Sequence, residues 1–129
     1  MTFAAWVKIT AAVFPNGYTN WELVTNEVYN SSGFKIRVDG ETAKLFYRSN
    51  QAGAYQQLFS NTALTNNTWY HVAVVKSGTT ITFYVNGSAD GSGTVTSPAA
   101  PTSNFFISQS GAMDGFIDDL RVYGRALSA

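Results

Sequence analysis

Apolar side chains return at every second position along most of this chain. Phe3, Ala5, Val7 and Ile9 alternate with Thr2, Ala4, Trp6 and Lys8. Phe34, Ile36 and Val38 alternate with Lys35, Arg37 and Asp39, and Ile81, Phe83 and Val85 with Thr80, Thr82 and Tyr84. A period of two sends successive side chains to opposite faces of a β-strand, so each such segment has one face for a core and one for water. Residues 69–76 are apolar on both faces, which predicts a central strand covered on both sides. Asn86-Gly87 is the strongest hairpin signal, and Asp39-Gly40 and the run Ser77–Thr80 mark two more turns. No window has apolar residues at three-four spacing behind a cap, and a single turn at residues 125–128 is the best helical candidate.

The expected architecture is therefore all-β: nine or ten short strands in an antiparallel two-sheet sandwich. Its 129 residues suit one domain, taken here as 1–129. Residues 87–104, rich in small side chains and holding two of the three prolines, read as a long connection between strands. Eight basic and eight acidic residues cancel, so nucleic acid has no electrostatic footprint to follow. Without cysteine there is no disulfide, thiolate metal site or cysteine nucleophile. No apolar run approaches the roughly 18 residues of a membrane span. The N-terminus enters strand-like sequence directly, without the pattern of a signal peptide, and the chain reads as one domain of a larger protein.

Catalytic constellations are poorly represented. A glycosidase needs two carboxylates facing one bond. Glu22 and Glu27 lie five apart, which assigns them to opposite faces of a regular strand, and Gly115 favours a turn between Asp114 and Asp118. His71, the one histidine, sits in an apolar strand and reads as a hydrogen-bonded core residue, and a lone histidine is no zinc site. No Gly-x-Ser-x-Gly elbow occurs, and the glycine-rich run at 90–95 has neither the lysine nor the helix of a phosphate loop. The expectation is a protein that is not an enzyme. Binding chemistry is better supplied. Tyr18, Trp21 and Tyr29 stand among Asn16, Asn20, Asn26 and Asn30, and Tyr47 and Tyr55 near Gln56 and Gln57. Aromatic faces flanked by amides suit a sugar. Tyr18, Trp21, Asn26, Tyr29, Tyr47 and Tyr55 are the candidate ligand-binding residues. The alternative for each aromatic is a place in the core.

Three stretches carry a family resemblance: Phe3–Ile9, Asn66–Gly87 and Asp114–Ser128. The last runs Gly, apolar, Asp, Asp, apolar, Arg, apolar, Tyr, then Arg-Ala-Leu-Ser. In order and spacing they resemble the laminin-G-like jelly roll, a concanavalin A-like sandwich that also includes pentraxins and legume lectins. The resemblance implies a jelly-roll fold and an extracellular or surface-exposed module for adhesion or lectin-like glycan or protein binding. The other reading is a structural or decorating domain of a viral particle or large surface protein. The family pattern also carries strands beyond both matched ends, so the resemblance predicts an open edge for a homo-oligomer or parent chain to cover.

Asp118 and Asp119 belong to that signature, and strand parity does not place them. Leu120 and Val122 share a side with Asp118, whereas Ile117 sides with Asp119. Two readings stand together. In one, Asp118 and Asp119 supply a structural calcium ion, which takes six to eight oxygen ligands. In the other, one carboxylate accepts backbone N–H groups or pairs with Arg121 or Arg125, and its neighbour is solvated.

Overall fold

A computed structural model describes residues 1–10, 21–108 and 115–128. It contains ten strands and, among the described residues, no helix. They are β1 (Thr2–Ile9), β2 (Trp21–Thr25), β3 (Phe34–Val38), β4 (Lys44–Gln51), β5 (Ala54–Ala63), β6 (Tyr70–Ser77), β7 (Thr80–Val85), β8 (Ser88–Thr94), β9 (Phe106–Ile107) and β10 (Gly115–Tyr123). All named pairings are antiparallel. One sheet has the order β10-β1-β6-β7-β8, and the other β5-β4-β3-β2-β9. The architecture is the expected jelly-roll sandwich.

The two-residue rhythm fills the space between the sheets. Phe3, Ala5, Val7 and Ile9 from β1 meet Ile81 and Phe83 from β7 and Ile36 and Val38 from β3, all buried in one cluster. β6 is central, as expected, with Val72 and Val74 in the core. Its outer face is only partly covered, because His71 and Val75 remain half-buried there.

Three local expectations change. Asp39-Gly40 does open a turn, but the left-handed residue is Ala43 (φ 54°), and the Asp39 carboxylate accepts the Thr42 N–H and hydroxyl. The connection expected over 87–104 begins with a strand, since Ser88–Thr94 pairs with β7. Its small residues fit because Gly93 lies against β5, where an added Cβ would stand 2.6 Å from Leu58 Cδ2. Residues 125–128 are not helical; the Leu127 N–H donates to Thr2 Oγ1, and that hydroxyl donates to the Arg125 carbonyl, strapping the segment to β1.

Register shifts interrupt the ladders at β-bulges. In β2 an extra residue is inserted between Glu22 and Val24. In β10 the four residues Asp118 to Arg121 span what three residues, Trp6 to Ala4, span in β1. Asp119 takes a left-handed conformation there (φ 48°). Each bulge reverses the in-out parity of the residues after it. Both decide where the chain's acids point.

Candidate functional site

Glu22 and Glu27 are the first consequence. Counting from Glu22 to Glu27 gives five, but the bulge absorbs one residue, so both reach the outer face of the second sheet. Lys35, from the same face of β3, places its ammonium 2.8 Å from Glu22 Oε1 and 2.9 Å from Glu27 Oε2. The expectation of opposite faces is corrected. Glu27 also receives a two-pronged contact from Arg48 of β4, through Nε to Oε1 and Nη2 to Oε2. One strand step away, Arg37 pairs with Asp39 at 3.1 Å and lies 4.0 Å over the Phe46 ring. Burial lowers the Arg37 guanidinium from its usual pKa, and Asp39 opposes that shift. The six charged side chains keep at most 18% of their surface exposed. Charges this dry require partners, and each has one.

The network ends on an aromatic ring. Arg48 sits 4.6 Å over Tyr55 of β5. The Tyr55 hydroxyl donates to Asn30 Oδ1 at 2.8 Å and accepts the Asn30 N–H at 2.9 Å. Asn30 is left-handed (φ 53°) in the turn closed by the Val28–Ser32 bridge. A second turn abuts it: the Ala52 N–H donates to the Ser31 carbonyl, Asn50 Nδ2 donates to the Val28 carbonyl, and Asn50 Oδ1 accepts the Gly53 N–H. Gly33 is needed beneath them, because its φ is +88° and an added Cβ would stand 2.4 Å from the Asn26 carbonyl oxygen. Tyr29, 80% exposed, projects beside this double turn.

The expected binding residues therefore separate. Trp21 and Tyr47 are fully buried in the core cluster, and this removes them as stacking faces. Burial raises the Tyr47 phenol pKa, and among the described residues neither its hydroxyl nor Trp21 Nε1 has a hydrogen-bond partner. Asn26 braces the turn: its Oδ1 accepts the Phe34 N–H, and its carbonyl accepts the Ser103 hydroxyl. Tyr18 lies outside the described residues, as does Asp114. Tyr29 and Tyr55 remain: Tyr55 is hydrogen-bonded to Asn30, the residue that follows Tyr29 in sequence. Arg48 and Glu27, which hold Tyr55 in place, were not among the expected residues.

The outer face of the first sheet is built differently. Trp6, Trp69 and Phe116 are 42%, 41% and 54% exposed. The Lys8 ammonium lies over the Trp69 and Phe116 rings at 5.3 and 4.7 Å. His71 is corrected from core to this face, half-buried, with the Trp6 ring edge-on at 5.4 Å. Beside it a groove of about 240 Å³ runs over Ala4 and Ala73, between Tyr84 and the Leu127 strap.

The second bulge explains the Asp pair. Ile117 and Leu120 both pack on the core although they are three apart, because the extra residue falls between them. Asp118 Oδ1 accepts the Asp119 N–H at 2.8 Å, and Asp119 Oδ1 accepts Arg121 Nε at 3.0 Å. Both acids are exposed. Among the described residues, no three acidic, histidine or cysteine side chains stand together to hold a metal ion. On their own, these two carboxylates do not make up the oxygen set that calcium takes.

A family model described as the concanavalin A-like lectin/glucanases superfamily, of laminin-G type, matches residues 1–129. No curated protein matches the sequence. Among solved structures, the heptameric SAP-like pentraxin of Limulus polyphemus superposes with a TM-score of 0.65 at 18% identity, over 98% of this chain and 64% of that one. Carbohydrate binding module CBM66 of Bacillus subtilis gives 0.58 at 12% identity, over 92% of this chain and 71% of that one. Domains LG4-5 of the mouse laminin alpha1 chain give 0.64 at 11%, over 98% of this chain and 36% of that one. At these identities the likeness is one of fold, and the chain spans less than two thirds of the pentraxin and of the laminin chain.

Proposed function

Because the chain belongs over its whole length to the concanavalin A-like lectin/glucanases superfamily, we propose that it is a non-catalytic binding module, displayed outside the cell or on a particle surface, that recognises a glycan. The observation that carries this reading is the fixing of Tyr55. Its hydroxyl is held twice by Asn30 and its ring rests on Arg48, which Glu27 locks from below. A ring held in one orientation gives up little conformational freedom when a ligand stacks on it. Exposed Tyr29 supplies a second ring, next in sequence to Asn30, whose side chain and N–H hold the Tyr55 hydroxyl. Rings that meet the apolar face of a sugar and amides that meet its hydroxyls are the complementary chemistry.

The acids support a non-catalytic role. Glycoside cleavage needs one carboxyl group carrying a proton toward the leaving oxygen and a second facing the anomeric carbon. Glu22 and Glu27 come together, but around Lys35 and Arg48, and both are buried beneath those cations. They serve the stability of the face. The test is a glycan array followed by titration of the best binder. A saturable signal is expected that drops at least tenfold in Tyr29→Ala at unchanged melting temperature, and at least tenfold in Tyr55→Ala, whose melting temperature should fall modestly with the loss of its Asn30 and Arg48 contacts. Binding that survives both substitutions overturns the site.

A second reading has its own observation. Three half-exposed rings stand together on the outer face of the first sheet, an apolar patch of the kind that a covering chain would bury. In that reading the domain is a structural or decorating element. A blank array together with a stable oligomer dissociated by Trp6→Ser favours it.

A further inference from the structure

We infer that the ligand is an uncharged oligosaccharide lying lengthwise along β5 from Tyr55 to Phe59, rather than a single terminal sugar. This rests on the glycan reading above and specifies its ligand. Along β5 the odd residues face out and the even residues are used inside. Gln56 Oε1 accepts the Thr96 N–H, Leu58 packs on the core and against Gly93, and Ser60 Oγ accepts the Leu45 N–H. Tyr55, Gln57 and Phe59 therefore form an outward row of ring, amide and ring. Four residues of strand place the two rings about 13 Å apart. That is more than one pyranose covers, so a ligand touching both must contain several sugars.

Each member of the row is equipped for contact. Phe59 is 42% exposed and stands edge-on to Phe46 at 5.0 Å. Phe46 is fully buried on this outer face, outside the core cluster, with Arg37 4.0 Å from its ring centroid. Its work is to hold up Phe59. Gln57 lies opposite Arg48, is exposed, and its side-chain amide has no hydrogen-bond partner among the described residues. Its amide is left for a ligand hydroxyl, midway between the rings.

Charge sets the class of sugar. Lys35, Arg37 and Arg48 face Glu22, Glu27 and Asp39 in closed pairs. A carboxylated or sulfated sugar lying from Tyr55 to Gln57 would find Arg48 already matched and would meet Glu27 beneath it; Lys44, which has no ion pair among the described residues, lies opposite Ala63, past the Phe59 end of the row. A neutral chain meets no such repulsion.

The experiment is a printed array of neutral and uronic-acid glycans graded from mono- to hexasaccharide, followed by calorimetric titration of the binders with the intact protein. Affinity is expected to climb with length over the first several sugars, to favour neutral chains, and to be insensitive to salt. Phe59→Ala and Gln57→Ala should flatten the climb, with Phe59→Ala costing about tenfold on the longest binder. Gln57→Ala removes no packed contact, so it reads the row even if Phe59→Ala lowers stability. Affinity independent of length, with Tyr55→Ala still abolishing binding, overturns this inference and leaves the glycan site standing. Preference for uronic glycans overturns the charge argument. A blank array overturns both the inference and the reading beneath it.

Discussion

The outer face of the second sheet is charged, paired and nearly dry; that of the first sheet is aromatic, loosely capped and half-wet. Glu22, Glu27, Lys35, Arg37, Asp39 and Arg48 close on one another with little exposed surface. Trp6, Trp69 and Phe116 keep about half their area in water, with Lys8 lying over two of the rings. Both faces cover a core made in the same way, from alternate apolar residues. The difference lies in what each demands. A buried charge tolerates only one arrangement, because every missing partner leaves an ion stranded in a poor solvent. An exposed ring tolerates many. The charged face is therefore the one that can hold a ring such as Tyr55 in a fixed pose, and the aromatic face is the one whose occupant must bring its own order.

The sharpest way to break this contrast is to remove one acid from each face. Glu27→Ala leaves Arg48 and Lys35 without their shared partner in a site only 15–18% exposed. A loss of about 3–5 kcal/mol is expected in denaturant unfolding. Asp119→Asn on the first sheet removes the charge of a pair whose members are more than half exposed while keeping a side chain that tolerates the left-handed backbone, and the unfolding midpoint should hardly move. Equal effects from the two substitutions would show that the second face is not governed by pairing.

The next test concerns the inner side, where the pairing rule fails at Trp21 and at Tyr47. Tyr47 is fully buried with its hydroxyl unpartnered, and burial raises its pKa above the ordinary 10. The folded protein keeps a proton that the unfolded chain gives up, so this contribution is whole below pH 10 and is lost as pH rises above it. The slope is about 1.4 kcal/mol per pH unit. Wild type should lose stability faster than Tyr47→Phe between pH 10 and 11. Below pH 10 the substitution should cost nothing or stabilise by up to about 1 kcal/mol, since it deletes an unsatisfied hydroxyl. Parallel pH profiles would mean that the hydroxyl has found a partner.

The same two faces show what the sequence makes legible. Trp6 alternates with Val7 and shares parity with Lys8, so its outward placement could be read directly. The regular strands β1, β3 and β7 follow their patterns residue by residue. Trp21 was harder, because aromatic residues among asparagines suit a binding loop and a strand start equally well. Burial decided it, and burial depends on which strand lies opposite. Glu22 and Glu27, and then Asp118 and Asp119, defeated a count by twos because a single inserted residue reverses parity. Bulges leave little trace in composition, apart from a residue such as Asp119 that tolerates positive φ. The charge network was invisible for a related reason. Its members are separated by up to 26 residues of chain, and only register across three strands unites them.

A smaller effect sharpens the description of the charged face as a support for binding. Tyr55→Phe keeps the ring over Arg48 and deletes the hydroxyl that Asn30 holds. These hydrogen bonds exist in the free protein and contribute about 1 kcal/mol, so stability should fall by about that much, and releasing the ring from its pose should lower glycan affinity as well, roughly fivefold. A drop in stability without loss of affinity would make the Asn30 contact a staple of the fold alone.

The smallest expected effect belongs to the first sheet's edge, where the comparison turns on whether its acids are also paired or serve an ion. Asp118 accepts the N–H of Asp119, and Asp119 accepts from Arg121. Both contacts hold the bulge that lets Ile117 and Leu120 pack on the same side. If that is the whole of their work, EDTA should leave the melting temperature unchanged and added calcium should not raise it. Asp119→Gly should then be tolerated, because glycine adopts the left-handed conformation freely, whereas Asp119→Val should lower stability at the same position. A fall in melting temperature with EDTA that calcium reverses would require oxygen ligands from outside the described residues. It would make this edge, rather than the charged face, the most strictly specified part of the surface.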